Sequence, residues 1–257
     1  MRSGYLIFFI FVLSCSSVPI RAPSDSSCKV DDPSSCPSGQ ICIKLDSAGK
    51  TECRASYSEP DFIFQFPFDK NTEVVCTQSP QNPEGSHSFS NSLYAIDLTT
   101  PYDRPASIIR ASADGKAFVF NDCKTPQGYP SHASTDNCGL GWGNHVRILH
   151  KDGVVSFYVH FKKIIIKDGD QVKAGQPLGI EGWTGLAGHR HLHWDVHKLS
   201  GSTVAEWEKT LSNPGWGGLS IPYFFEVNIN GKNKIISSRD VQCRHDNMTQ
   251  VYWRGTK

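Results

Sequence analysis

From about Pro60 onward, apolar positions recur mostly with the period of a β-strand. Leu93-Tyr94-Ala95-Ile96-Asp97-Leu98 alternates, with Tyr94, Ile96 and Leu98 on one face and Ala95 and Asp97 on the other. Two further runs, Val146 to Leu149 and Val154 to Phe161, flank Lys151-Asp152-Gly153. Asp-Gly between two such runs predicts a hairpin. Ile164-Ile165-Ile166 leads into the turn Lys167-Asp168-Gly169-Asp170, and five glycines from Gly175 to Gly188 punctuate short turns. His191 to Val196 alternates again, Val204 to Leu211 reads as one short helix, and Ile221 to Val227 as another strand. The pattern predicts an all-β domain over 60–200, with 201–257 as an extension packed on it.

The start of the chain breaks this pattern. Arg2 followed by the apolar run Leu6 to Leu13 reads as an export signal over 1–14, too short to span a bilayer as a helix. The run ends in Val12-Leu13-Ser14-Cys15, which resembles a relaxed lipobox and suggests a lipoprotein anchored through Cys15; an ordinary secretory signal cut a few residues later is the alternative. Residues 15–27 are rich in Ser and Pro and read as a tether. With 9 Cys in the chain, removing or lipidating Cys15 leaves an even set for four disulfides in an exported protein. Four of the cysteines, Cys28, Cys36, Cys42 and Cys53, crowd into 28–53, a module too short to bury much core, so two disulfides are expected to hold it. Cys243 can staple the tail to the domain through Cys76, and Cys123 with Cys138 can close the polar loop between them. Sequence alone does not fix these pairings.

Charge narrows the function classes. Lys+Arg is 26 and Asp+Glu is 25, a formal net charge of +1, which argues against nucleic-acid binding as the main activity.

Candidate chemistry lies in His191-Leu192-His193-Trp194-Asp195-Val196. As a strand it sends His191, His193 and Asp195 to one face, and Leu192, Trp194 and Val196 to a core. Two imidazoles side by side can be two metal ligands, or one ligand and one catalytic group. An isolated His-x-His is more often a pair of surface histidines, and a chain with 10 His makes chance pairs plausible. Asp97, on the polar face of its own strand, is the carboxylate that could complete a zinc site with an open position for water.

The order of motifs adds more. Tyr158-Val159-His160-Phe161, then Gly169-Asp170-Gln171-Val172-Lys173-Ala174-Gly175-Gln176, Gly182-Trp183-Thr184-Gly185 and His191-Leu192-His193 resemble the lysostaphin-type (LytM-like) zinc metallopeptidases. Upstream, Ser86-His87 and Tyr94-Ala95-Ile96-Asp97-Leu98 resemble that family's first motif, and the resemblance runs from about Gly85 to Val196. It implies an antiparallel β-sandwich-like catalytic domain of the duplicated hybrid motif type. It also implies one zinc held by His87, Asp97 and His193, with His160 and His191 as catalytic groups, either of which can be the base. The implied substrate is peptidoglycan peptide stems or Gly-rich peptides, cut by an exported monomer of the cell envelope; membrane contact comes only through a lipid on Cys15. The alternative is a non-catalytic wall-binding, activator or signalling module that keeps the fold. The sequence departs from the family in three places: the first His lies ten residues before Asp97 rather than four, Arg190 replaces a Pro, and Cys123 to Cys138 is an insertion. His132, His145, His150, His189, His197 and His245 are assigned to structure or solvent.

Overall fold

The computed structural model describes residues 28–29, 33–38, 40–44, 50–55, 60–82, 85–125, 134–214, 218–243 and 253–256. The expected signal 1–14, the tether 15–27 with Cys15, and His132 and His245 lie outside the described residues.

The first strands along the chain are β1 (Gln40–Lys44), β2 (Thr51–Ala55), β3 (Ile63–Gln65), β4 (Val75–Gln78), β5 (Ile96–Thr99), β6 (Ile108–Arg110) and β7 (Gly115–Phe120). The middle of the chain adds β8 (Ser134–Thr135), β9 (His145–Leu149), β10 (Val154–Val159), β11 (Lys163–Ile164), β12 (Gln171–Val172), β13 (Pro177–Ile180), β14 (Leu186–Ala187) and β15 (Leu192–Lys198). Helix α1 (Val204–Leu211) precedes β16 (Leu219–Ser220), β17 (Phe224–Ile229), β18 (Lys232–Ser237) and β19 (Trp253–Arg254). No helix among the described residues is long and apolar enough to cross a membrane.

The fold is mostly β. One sheet runs β12-β7-β9-β10-β15-β5-β4, with β16 beside β15, and every neighbouring pair is antiparallel. A second sheet is β11-β13-β6, and a third, β18-β17-β19, also takes β3 parallel to β17. The hairpin predicted at Lys151-Asp152-Gly153 joins β9 to β10. Asp152 and Gly153 both take positive φ, 57° and 66°, the handedness that a tight turn between right-twisted strands needs.

The core follows the alternation. Leu192, Trp194 and Val196 of β15 meet Tyr158 of β10, Ile96 and Leu98 of β5, and Tyr223 and Phe225 from the tail. The Trp194 ring lies 5.0 Å from Tyr223 and 5.1 Å from Phe225, both near edge-to-face. Burying one such side chain stabilises the fold by about 1.5–3 kcal/mol. The tail thus completes the core beneath the sheet's central strand. Helix α1 forms where expected. Thr203 and Glu206 close its first turn as a capping box, and Leu211 is buried with Phe118, Leu149, Val155 and Leu199.

Several strand readings shift: β17 runs Phe224–Ile229 rather than Ile221 to Val227, and β15 runs Leu192–Lys198 rather than His191 to Val196. Leu93-Tyr94-Ala95 belongs to a turn, where the Ala95 N–H donates to the Ser92 carbonyl, and the strand begins only at Ile96. The run from Val154 stops at Val159 rather than Phe161. Four disulfides link Cys28–Cys42, Cys36–Cys53, Cys76–Cys243 and Cys123–Cys138. The first two staple the β1–β2 hairpin, in which Cys42 and Cys53 are cross-strand neighbours.

Candidate metal centre

Antiparallel pairing of β15 with β5 sets His193 directly opposite Asp97. Both side chains point to the face away from Trp194, and both are nearly inaccessible to solvent. His87 arrives from outside the sheet, in a serine-rich turn before β5. The Ser88 hydroxyl donates to the Gly85 carbonyl and the Ser92 hydroxyl to the Ser86 carbonyl, winding the segment tightly. Gly85 packs close to the amide ends of Asn82 and Gln78, which an added Cβ would have to displace.

The three side chains converge to a triangle. His87 Nε2 lies 3.1 Å from Asp97 Oδ1, His193 Nδ1 lies 3.1 Å from the same oxygen, and the two nitrogens are 3.2 Å apart. Ligands bonded at about 2.0–2.1 Å to a tetrahedral zinc stand about 3.3 Å from one another, so the triangle fits one face of that tetrahedron. Hydrogen bonding points the same way. His87 Nδ1 is 3.0 Å from the Ser79 carbonyl, which can only accept, so the proton sits on Nδ1 and the Nε2 lone pair faces the triangle. Lone pairs this close repel unless a cation or a proton lies between them. His193 Nε2 is buried with no hydrogen-bond partner among the described residues, and the Trp142 ring packs 5.4 Å from the His193 ring.

His160 and His191 stand beside the triangle, with ring centroids 4.6 Å apart. His191 Nδ1 is 2.8 Å from the His189 carbonyl, and its Nε2 lies 3.7 Å from Asp97 Oδ2. His160 reaches the site by a different route from the one its sequence position suggests. Alternation along β10 would carry it to the face of Ser156 and Tyr158, and Tyr158 pairs across the ladder with Trp194 in the core. That expectation fails because the backbone turns at His160, whose φ is +71°. The reversal swings the imidazole toward His191, where Nδ1 donates to the Thr184 carbonyl at 2.7 Å. A non-glycine residue held at positive φ costs of order 1 kcal/mol or more and persists only where its surroundings enforce it. Gly143 is part of that enforcement: a Cβ on it would come within 2.2 Å of the Thr184 oxygen.

Burial opposes charge on all these groups, and the neighbours decide the outcome. Burial raises the Asp97 carboxyl, but the His87 and His191 imidazoles outweigh it and hold Asp97 well below the ordinary carboxylate range. Burial lowers His87, yet the Asp97 charge outweighs that and leaves it raised. Burial lowers His193 too, and there it prevails. Burial, reinforced by His191 and His193, pushes His160 well down, so its imidazole stays neutral, with Nδ1 on the Thr184 carbonyl and the lone pair on Nε2. The arrangement is an ionised carboxylate and two imidazole lone pairs aimed at one point, with two further imidazoles alongside.

Sequence reasoning missed the parts supplied by main chain. The carbonyls of Ser79, Thr184 and His189 set which nitrogen each histidine presents, and a carbonyl leaves no mark on residue type. Arg190, where the family carries Pro, is a buried clamp. Its guanidinium donates to the carbonyls of Thr100, Pro101 and Arg104, while Glu181 accepts from the Thr100 and Ser107 N–H groups. Together they fasten the 100–107 loop beside the site.

Residues 92–206 match the model of Peptidase family M23. Over 139 residues the chain is 41% identical to an uncharacterized metalloprotease of Buchnera aphidicola subsp. Baizongia pistaciae, covering 54% of this chain and 32% of that one. Over 161 residues it is 27% identical to the peptidoglycan DD-endopeptidase ShyB of Vibrio cholerae serotype O1, covering 62% of this chain and 33% of that one. Over 80 residues it is 39% identical to lysostaphin of Staphylococcus staphylolyticus, covering 30% of this chain and 17% of that one. The chain therefore spans about a third or less of the length of these relatives. Asp97, His160, His191 and His193 fall inside the family match and His87 upstream of it.

Proposed function

We propose that this chain, whose residues 92–206 match the model of Peptidase family M23, is a zinc-dependent endopeptidase that hydrolyses peptide cross-links of bacterial cell-wall peptidoglycan. The observation that carries the reading is the triangle of His87 Nε2, Asp97 Oδ1 and His193 Nδ1 with two unshared imidazoles at its side. In this reading the triangle binds one zinc per chain. The ion supplies Lewis acidity toward a water and a peptide carbonyl. His160 and His191 handle the proton. Each has Nδ1–H fixed on a carbonyl, so Nε2 is the nitrogen that accepts a proton from the attacking water. The resulting imidazolium stabilises the oxyanion that develops on the carbonyl and then returns its proton to the leaving amine. The buried surroundings strengthen these charge interactions relative to water.

The wider reading has the chain exported to the cell envelope as a monomer. Residues 28–53 act as a disulfide-held module, 60–200 as the catalytic domain and 201–257 as an extension completing its core. The relatives named for acting on peptidoglycan support the substrate class. Digestion of purified peptidoglycan, followed by mass spectrometry of the released fragments, tests it. New peptide termini at cross-links are expected. A zinc-loaded protein that cuts no wall preparation and no Gly- or D-Ala-linked peptide, yet binds wall material, would establish the non-catalytic alternative instead.

A further inference from the structure

The three residues of the triangle are not held equally. Asp97 and His193 are fixed by the β5–β15 ladder. His87 belongs to no strand, and its ring is oriented by a single backbone acceptor, the Ser79 carbonyl. Ser79 follows β4, the edge strand of the large sheet, which pairs there with β5 alone. Cys76 and Gln78 pair with Leu98 and Asp97 of β5, and a second attachment of the same segment leads out to the extension. Cys76 is bonded to Cys243, 167 residues later in the chain. The Cys243 N–H donates to Ser79 Oγ at 2.7 Å, so the extension grips the same segment twice. From there the connection runs back to the His87 turn: Gln78 Nε2 donates to Ser86 Oγ at 2.9 Å, and the Ser79 carbonyl accepts from His87 Nδ1 at 3.0 Å. A His placed ten residues before Asp97 cannot be held by the strand that carries Asp97. It needs an external anchor, and the extension supplies one.

We propose that the Cys76–Cys243 disulfide and Ser79 are positioning elements for the metal centre, setting zinc affinity by holding His87 in the triangle. This rests on the zinc reading above. Removing the tether leaves Asp97 and His193 in register and frees His87 to turn away. The effect then falls on affinity more than on the fold. Partners that orient metal-ligating histidines typically govern about 10–100-fold in affinity.

The test uses the full chain and measures zinc affinity by chelator competition. Cys76→Ser/Cys243→Ser should weaken zinc about 10–100-fold. Cys36→Ser/Cys53→Ser, which opens a disulfide of the separate β1–β2 hairpin, should change affinity by less than about twofold. In a His87→Ala background, losing the Cys76–Cys243 bond should add less than about twofold, because the tether then has nothing to position. If the double cysteine variant does not fold, Ser79→Ala removes only the hydroxyl gripped by Cys243 and should still weaken zinc about threefold or more. A tether loss that leaves affinity unchanged, or weakens it equally with and without His87, overturns the proposal while the zinc reading stands. A wild type that binds no zinc overturns the zinc reading, and this proposal with it.

Discussion

Two groups of buried histidine lie within one sheet system and differ in what their ring nitrogens meet. His150, on the far side of the sheet from the triangle's loop, has both nitrogens occupied: Nδ1 is 2.7 Å from the Asp114 carbonyl and Nε2 is 2.8 Å from Ser156 Oγ. His197, two turns of the pleat beyond His193, places Nε2 2.9 Å from Asp195 Oδ2. His87, His160 and His191 instead each fix Nδ1 on a main-chain carbonyl and turn Nε2 into the site. Burial does not separate the groups, since all five are nearly inaccessible. The distinction is where the ring nitrogens point: toward the triangle, or to protein groups away from it.

The strongest way to break this distinction is at the triangle. Asp97→Ala removes its only carboxylate, so zinc should be lost and turnover should fall by more than about 10⁴-fold. Metal analysis beside fragment release from wall material checks it, and a loaded, active variant would show that the triangle is not the centre. Next comes His160→Ala. It should keep zinc yet lower turnover by about 10²–10⁴-fold, the usual contribution of a positioned acid or base. Loss of metal along with activity would reassign His160 to the ligand set.

The satisfied group should respond to pH through stability. Burial pushes His150 down to about 4, below its ordinary value of 6.5. Between these values the unfolded chain binds a proton that the folded protein refuses, so stability falls as pH drops from about 6.5 toward about 4. The full loss is roughly 3 kcal/mol. Comparing urea unfolding of the metal-free wild type and His150→Gln at neutral and acid pH isolates it; the variant should lose less stability on acidification. A wild type and variant with parallel pH profiles would mean that His150 is not held neutral. The smallest effect is expected at His197→Asn, about 1–2 kcal/mol of stability with zinc content and turnover unchanged within about twofold.

Much of this was legible in the residues because periodicity reports directly on which side chains share a face. The hairpin at Asp152-Gly153, helix α1 and the outward face carrying His191 and His193 all follow from spacing. His160 was not legible in the same way. Its reversal at positive φ breaks the period, and no residue type at that position announces it. Nor does anything in Gly85-Ser86-His87-Ser88 state that the loop closes on Asp97, since the hydrogen bonds that wind it arise only when Gln78 and Ser79 lie alongside.

By itself, the sequence determined the all-β class, the hydrophobic faces of the strands and the kinds of donor atom available, because each depends on neighbours a few residues apart. Tertiary structure decided the rest. It brought His87, Asp97 and His193 within 3.2 Å of one another, selected Nε2 of one imidazole and Nδ1 of the other, and tied the first of them to Cys243. These outcomes depend on strand register and on main-chain carbonyls brought together across long separations in the chain, and local residue patterns carry no record of either.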